Sequence, residues 1–253
     1  MVVKDIHQKS IWVVMGLVIW EVTVKLGYVS NQIMPSLWTI LRRMIEGLVD
    51  GNLFFQLFQS IAFVIAGLVV GLVLALVMAV LGYFNSWLAN LFDVYAAILH
   101  PLPGIALLPI VILWFGIGGE AAYAIILHAV VWSQYLMLRD GLKQVDRSYI
   151  EVAGNNGASK RQLVSLVLLP LILPAIILSL QMGWSKGWRA LISAEMVFGA
   201  ISALGGIGWY MYERRAFMDT PGMYSGILLV VIVGILMEEL VFNRWVLGLA
   251  RKS

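Results

Sequence analysis

The chain has 253 residues, of which 61% are hydrophobic and only 12% are charged. Because soluble domains carry about 25% charged residues, this composition indicates a protein of the lipid bilayer and excludes a soluble domain. The absence of cysteine excludes disulfides, thiolate metal sites and cysteine nucleophiles. The net charge of +3 is small, and in a membrane protein it bears on orientation rather than on nucleic-acid binding.

Six apolar runs are long enough to cross a bilayer, which needs about 20 mostly apolar residues per helix. The predicted spans are residues 11–28, 59–83, 87–116, 120–138, 163–194 and 224–246. The first contains Glu21 and Lys25, four residues apart on one helix face, where they could form an ion pair. We expect this helix to be retained rather than cleaved as a signal peptide, since no small-residue cleavage pattern follows it.

Two of the predicted spans contain sequences that bend a helix. The third is interrupted by HPLPGIALLP (100–109), and the fifth carries Pro170 and Pro174. A proline inside a helix removes one backbone hydrogen bond and favours a kink, which a packed bundle tolerates. The sequence therefore predicts an all-α polytopic membrane protein with one domain, residues 1–253, whose core covers about 58–247.

Lysine and arginine residues predict the orientation of the six spans. If both termini lie in the cytoplasm, ten of these 17 residues are cytoplasmic and seven are outside or embedded. Five of the ten lie in the short segment 139–161, and short loops weigh most in the positive-inside rule. We therefore expect a multi-pass protein of the cytoplasmic (inner) membrane, with both termini and segment 139–161 in the cytoplasm.

The loop 144–161 between the fourth and fifth spans is too polar to enter the membrane. Gly154 and Gly157 permit a sharp bend between two short helices, and Ser159 could cap the second of them. Two short helices on the membrane surface are suited to docking in a groove of another protein. The alternative is an interfacial loop that only joins the two spans.

The sequence EVAGNNGASKRQLVSLVLLP (151–170) resembles the EAA loop of ABC importer permeases, which reads roughly E-A-A, three residues, G, nine residues, I-x-L-P. The matching positions are Glu151, Ala153, Gly157, Leu169 and Pro170. Val152 and Val167 depart from the family's alanine and isoleucine, and both changes are mild. The stretches 107–121 and 194–213 also resemble the branch that imports sulfonates, taurine, nitrate and related small solutes.

The resemblance implies a type I ABC importer permease that works as a homodimer with cytoplasmic ATP-binding subunits and an extracytoplasmic solute-binding protein. In this family the coupling loop inserts into a cleft of the ATPase. The residues that the resemblance assigns to coupling are Glu151, Ala153, Gly157, Ala158 and Ser159. The fifth span, with Pro170 and Pro174, would be a mobile gate helix, and static bends are the alternative. ATP and Mg²⁺ would bind to the partner, so we expect no cofactor and no enzymatic activity in this chain.

Ionisable residues inside the membrane are candidates for the solute path. Lys186, Arg189 and Glu195 lie in the outer half of the fifth span, close to Trp184 and Trp188. In one interpretation the tryptophans belong to an interfacial belt, the cations reach the headgroups, and the glutamate pairs with one of them. In the other, one or both cations line a cavity with tryptophan walls and bind a small oxyanion, which suits the forked donors of a guanidinium.

Two histidines and two outer regions allow alternative interpretations. His100 precedes the proline break of the third span, and His128 lies midway along the fourth. Each of them is either a neutral histidine hydrogen-bonded within the bundle or a residue that lines the pore. Neither has a second ligand at metal-binding spacing, so the sequence assigns no metal.

Regions 34–60 and 203–222 lie outside the cytoplasm under the predicted orientation. There they either anchor to the membrane surface or dock the solute-binding protein.

The predicted function is the permease subunit of an ATP-driven importer, with an organosulfonate or similar small anion as the expected solute. Nitrate, bicarbonate and a neutral cofactor precursor are the alternatives. An ion-coupled secondary transporter would require an inverted repeat and paired acidic residues at mid-membrane, and neither is visible. A membrane-embedded enzyme would require a cluster of intramembrane His, Asp or Glu, which two isolated histidines do not supply.

Overall fold

The computed structural model describes residues 2–199, 205–242 and 244, and every regular element in this part of the chain is helical. The all-α prediction is therefore confirmed. The α-helices are α1 (Val2–Lys25), α2 (Leu37–Val49), α3 (Asn52–Phe84), α4 (Ser86–Leu99), α5 (Leu108–Phe115), α6 (Gly119–Lys143), α7 (Arg147–Asn155), α8 (Lys160–Gln162), α9 (Leu169–Leu171), α10 (Leu173–Phe198), α11 (Ile207–Ala216) and α12 (Thr220–Leu236). A 3₁₀ turn (Gly104–Leu107) precedes α5, and π-helical turns, Leu163–Leu168 and Met237–Phe242, follow α8 and α12.

Three helices of the described chain are long and apolar enough to cross a membrane, namely α3, α6 and α12 extended by its π-helical turn. Two further candidates are bent pairs, α4 with Gly104–Phe115 at 91° and Lys160–Leu171 with α10 at 67°. These three to five candidates correspond to the predicted second to sixth spans. Helix α1 is not among them, so the count of six stays a prediction, and the predicted end of the last span at residue 246 lies outside the described residues.

The bend between α4 and α5 lies where the proline-rich sequence predicts it. Helix α4 ends at Leu99, and Pro101 and Pro103 follow in a segment that cannot continue the ladder because proline has no N–H. Helix α5 begins at Leu108 with Pro109 in its first turn, where a missing N–H costs nothing. The break therefore creates a short non-helical segment that lies beside the middle of α6.

Helix α6 lies at the centre of the bundle, between α3 and α10. Its close approach to α3 depends on two glycines of that helix, Gly67 and Gly71. A Cβ atom at Gly67 would overlap the side chain of Ile126, and one at Gly71 would overlap that of Val130. Small residues spaced by four let two membrane helices pack backbone to backbone, so this contact fixes the position of α6.

We expect Gly67→Ala to destabilise the fold by about 1–3 kcal/mol, because the added methyl group overpacks the contact with Ile126. The measurement is the thermal unfolding midpoint of the purified protein in detergent. Gly154→Ala is the matched control, since a Cβ at this helical position meets nothing within 4 Å. An unchanged midpoint for Gly67→Ala would show that α3 and α6 are not held at this distance.

Helix α1 is attached to the segment before α2 by its last turns. The carboxylate of Glu21 accepts the backbone N–H of Leu37 at 3.0 Å, and Trp20 Nε1 donates to the carbonyl of Pro35 at 3.0 Å. Lys25 Nζ lies 3.5 Å from Glu21 Oε1, so the ion pair that the sequence predicts is confirmed. Because the carboxylate has two partners, α1 and α2 are oriented by a polar contact rather than by packing alone.

Asp219 ties α2 to the start of α12. Its carboxylate accepts hydrogen bonds from Arg43 Nη2 at 2.8 Å and from the N–H of Gly222 at 3.0 Å, and Arg214 Nη1 lies 3.6 Å away. Burial raises the pKa of Asp219, but these hydrogen bonds and the charges of the two arginines outweigh it, so the net pKa lies below the ordinary value. The aspartate is therefore ionised at neutral pH and clamps the two helices.

Candidate functional site

After α6 the loop forms the helix α7, which has a defined start and end. Asp146 caps its start by accepting the N–H of Ser148 at 2.9 Å, and hydrogen bonds from the backbone and side chain of Ser148 lower the pKa of Asp146. At the other end Gly157 has φ +75°, and Ala158 N donates to the carbonyl of Ala153 at 3.0 Å. This is the glycine-dependent C-terminal turn of a helix, so the predicted sharp bend lies at Gly157. Gly154 is helical and does not contribute to it.

Ser159 starts the next helix, α8, as the sequence predicts. Its Oγ accepts the N–H of Gln162 at 3.3 Å, and its own N–H donates to Gln162 Oε1 at 2.9 Å, which forms a capping box. After the π-helical turn, Pro170 and Pro174 lie on either side of the 67° break at Ile172. The two prolines thus mark the bend between α8 and the long α10.

Helix α7 presents different residues to the bundle and to solvent. Ala153 is buried and Ile150 is half-buried, whereas Glu151 is exposed. Val152 and Tyr149 are large apolar side chains that are 60% and 54% exposed. The exposed face of α7 therefore carries a carboxylate between two large apolar side chains.

An open cavity of about 320 Å³ lies at the break between α4 and α5. Residues 100–105 of the break form one wall, and the middle parts of α6 and α10 form the others. Four of the residues that the sequence singles out share this cavity, although they come from three separate elements: His100, His128, Lys186 and Arg189. A ligand here would be surrounded by basic and imidazole groups on one side and by apolar side chains on the other.

The basic groups of this cavity are held by hydrogen bonds but are not neutralised. Lys186 Nζ donates to His100 Nε2, and His128 Nε2 donates to the carbonyl of Leu102 at 3.2 Å. Arg189 Nε donates to the carbonyl of Ser185, one helical turn earlier, at 2.9 Å. Among the described residues no carboxylate forms an ion pair with either cation. The cavity therefore carries positive charge within a span, which favours an anionic ligand.

The two tryptophans are not walls of this cavity. Trp184 and Trp188 stack on each other with ring centroids 5.3 Å apart, and they are only 1% and 4% exposed. They belong to the hydrophobic core with residues of α3 and α6. Both predicted placements, in an interfacial belt and in the wall of an anion cavity, are therefore wrong, because the pair points to the opposite face of α10 from Lys186 and Arg189.

Glu195 does not pair with Lys186 or Arg189, contrary to the expectation. It is 3% exposed, and its carboxylate accepts Ser60 Oγ of α3 at 2.7 Å and the N–H of Gly208 at 2.8 Å. Ser60 Oγ in turn accepts the N–H of Ile207 at 2.9 Å. Glu195 and Ser60 together therefore satisfy the first N–H groups of α11 and fasten this helix to α3 and α10.

Sequence reasoning missed Ser60 because its partner is 135 residues away and a single serine gives no signal. The glycines at 206 and 208 were the available clue. A Cβ atom at Gly206 or Gly208 would overlap the Glu195 side chain, so the backbone can approach the carboxylate only without side chains at these positions.

Ser60→Ala is expected to destabilise the protein by about 1–3 kcal/mol, because it leaves the N–H of Ile207 and one side of the Glu195 carboxylate without a partner. Ser179→Ala is the matched control, since this buried serine donates only to the carbonyl of Ile176 in its own helix. Unfolding monitored by the near-ultraviolet signal of the tryptophans measures both variants. Equal and small losses would mean that the buried carboxylate network does not fasten α11.

Comparison with known proteins connects this arrangement to a family. The model of the family described as binding-protein-dependent transport system inner membrane component matches residues 67–244. The putative aliphatic sulfonates transport permease protein SsuC of Bacillus subtilis is 29% identical over 223 residues, which cover 88% of this chain and 79% of that protein. The taurine transport system permease protein TauC of Escherichia coli is 26% identical over 227 residues, 88% of this chain and 81% of that protein.

More distant relatives extend the comparison. The bicarbonate transport system permease protein CmpB of Synechococcus elongatus is 27% identical over 170 residues, which cover 66% of this chain and 60% of that protein. An inward-facing structure of the MetNI methionine ABC transporter superposes with a TM-score of 0.67, covering 79% of this chain and 97% of the matched chain. At 21% sequence identity this likeness shows a shared fold.

Proposed function

Because the chain belongs to the family of binding-protein-dependent transport system inner membrane components, we propose that it is the permease subunit of an ATP-driven importer for an organosulfonate or a similar small anion. Permeases of this family are translocation subunits and not enzymes, and they work with an ATPase and a solute-binding protein. The relatives named for aliphatic sulfonates and taurine match most of the chain, which favours a sulfonate over the other candidate solutes.

The observation that carries the choice of an anion is the cavity with two cations and no paired carboxylate among the described residues. Arg189 offers a planar fork of donors, and Lys186 adds a second charge held in place by His100. A sulfonate or carboxylate can replace the missing counter-charge and accept several of these hydrogen bonds at once. The volume of about 320 Å³ suits a small solute.

The other solutes fit this cavity in different degrees. Nitrate and bicarbonate share the negative charge, and the bicarbonate permease among the relatives keeps that alternative open. A neutral cofactor precursor would leave both cations without a counter-charge, so the cavity disfavours it. The membership of the family disfavours an ion-coupled secondary transporter.

The proposed coupling runs from α7 to α10. A cleft of the ATPase would contact three exposed residues of α7, namely Glu151, Val152 and Tyr149. Gly157 and Ser159 would fix the turn that follows this helix. Movement of α7 would be transmitted through α8 and the bend at Pro170 and Pro174 to the part of α10 that lines the cavity. ATP and Mg²⁺ bind to the ATPase in this proposal, and the chain needs no cofactor of its own.

The proposed assembly contains two copies of this chain, with both termini and α7 in the cytoplasm. This orientation places the ends of α2 and α11 outside, where the solute-binding protein docks. The predicted docking region 203–222 falls partly outside the described residues, because residues 203 and 204 are not described. The rest of it forms α11 and the Asp219 clamp, a rigid surface rather than a loose loop.

ATPase stimulation tests this proposal. The permease and the ATPase encoded beside it are reconstituted in nanodiscs, and the solute-binding protein is added with sulfonates, nitrate, bicarbonate or neutral heterocycles. We expect stimulation by organosulfonates above the other solutes. Stimulation by neutral heterocycles alone would overturn the choice of an anion, and failure of any complex to form would overturn the permease assignment.

A further inference from the structure

A second cavity, of about 490 Å³, lies under α7 at the ends of α3 and α6. It shares no lining residue with the cavity at the break between α4 and α5. Three of its lining residues are cations, Arg139, Lys143 and Arg147, against one carboxylate, Glu151. The remaining wall is apolar or aromatic: Tyr83, Leu142, Val145 and Ile150.

The position of this cavity is the surface of the membrane. Tyr83 lies in the last turn of α3, and Arg139 and Lys143 lie in the last two turns of α6, both of which are candidate spans. Trp87, just after the end of α3, is 70% exposed, which is typical of the aromatic belt at a bilayer interface. The cavity therefore lies at the depth of lipid headgroups.

The three cations of this cavity are weakly neutralised within the described chain. The carboxylate of Asp93 is 3.6 Å from Arg139 Nε, but the same oxygen already accepts Tyr135 OH at 2.6 Å, and Arg139 Nε is buried without a hydrogen-bond partner. Lys143 has a loose partner at 3.7 Å, Asp140, with both side chains exposed. Arg147 forms no ion pair with any described residue. The exposed Lys143–Asp140 pair contributes little, and Asp93 shares its carboxylate oxygen with Tyr135, so the cavity keeps a positive field.

We propose that this cavity binds the headgroup of an anionic phospholipid, with the phosphate between Arg139, Lys143 and Arg147. Basic pockets between transmembrane helices on the cytoplasmic side are suited to anionic headgroups. The apolar wall of Leu142, Val145 and Ile150 receives the glycerol and the first methylene groups, and Tyr83 spans the boundary between the two. A lipid bound in this cavity would bridge α7 and the ends of α3 and α6.

Native mass spectrometry measures the retained lipid directly. The full chain in detergent is titrated with phosphatidylglycerol or phosphatidylcholine and then released from the detergent in the spectrometer. We expect one phosphatidylglycerol to be retained in preference to phosphatidylcholine. Arg147→Gln with Lys143→Gln should lower this retention roughly 20-fold, because each basic residue near the surface contributes about fivefold. Both side chains are exposed at the surface, so the fold should tolerate the change.

Arg42→Gln is the matched control, since Arg42 is an exposed arginine of α2 paired with Glu46, far from this cavity. Retention of phosphatidylcholine equal to that of phosphatidylglycerol, or an equal loss with Arg42→Gln, would overturn the proposal. Displacement of the lipid by an equal concentration of inorganic phosphate would make the site one for a soluble anion. Retention unchanged in the double variant, with loss of ATPase binding, would assign these cations to the ATPase interface instead.

Discussion

Arg189→Glu is expected to lower the uptake of an anionic solute by roughly 100-fold. The variant places a negative charge beside the proposed anion, and like charges brought together cost several kcal/mol, with each 1.4 kcal/mol equal to a factor of ten. Arg189 is exposed to the cavity, and within the described part of the chain its guanidinium bonds only to Ser185 of its own helix, so the substitution removes no described hydrogen bond between helices. Uptake of a labelled organosulfonate by proteoliposomes measures the effect.

Arg189→Lys is the control for charge alone. It keeps the positive charge but loses the fork of donors, so uptake should fall only a few fold. Uptake of a neutral solute should fall less than uptake of the sulfonate, because a neutral solute does not interact strongly with the reversed charge. If Arg189→Glu imported the sulfonate at the rate of the unaltered protein, the cavity would not lie on the path.

Glu151→Lys is expected to lower ATP-driven uptake at least about tenfold while the permease remains folded. Glu151 is exposed on α7, so its replacement creates no packing defect within the chain. If Glu151 docks on the ATPase as proposed, the lysine reverses the charge that the ATPase surface meets, and such a mismatch at an interface costs several kcal/mol. Co-purification of the ATPase and its hydrolysis rate distinguish lost assembly from lost coupling.

Glu120→Lys is the control, because it makes the same change of charge at an exposed residue in the first turn of α6. This turn is at the end of α6 that lies away from α7. This variant should bind the ATPase and import solute normally. Normal transport by Glu151→Lys, or an equal defect in Glu120→Lys, would mean that α7 does not couple the two subunits. The pair therefore separates a specific docking residue from a general effect of surface charge.

Much of the fold can be predicted because the bilayer restricts it. Charge-free runs predict the candidate spans, since a membrane helix must be long and apolar, and the prolines at 101 and 103 predict the break in the third. The end of α7 is also predictable, because Gly157 can adopt the positive φ of a helix C-terminal turn at no steric cost. These features depend on local sequence alone.

The faces of the helices could not be predicted in the same way. A stretch of six residues in α10 contains two tryptophans and two cations, Trp184, Lys186, Trp188 and Arg189. Composition does not show which of these side chains face the core. The stacking of the two tryptophans against α3 and α6 decides it and turns the cations into the cavity. The partner of Glu195 is equally non-local, because Ser60 lies on α3.

The most direct test of the central claim is ATP-driven accumulation of a labelled organosulfonate in proteoliposomes that contain the permease, its ATPase and the solute-binding protein. We expect accumulation against the solute gradient that requires ATP and the binding protein and is lost in Arg189→Glu and Glu151→Lys. Accumulation driven by an ion gradient without ATP, or import of neutral solutes with exclusion of anions, would contradict it.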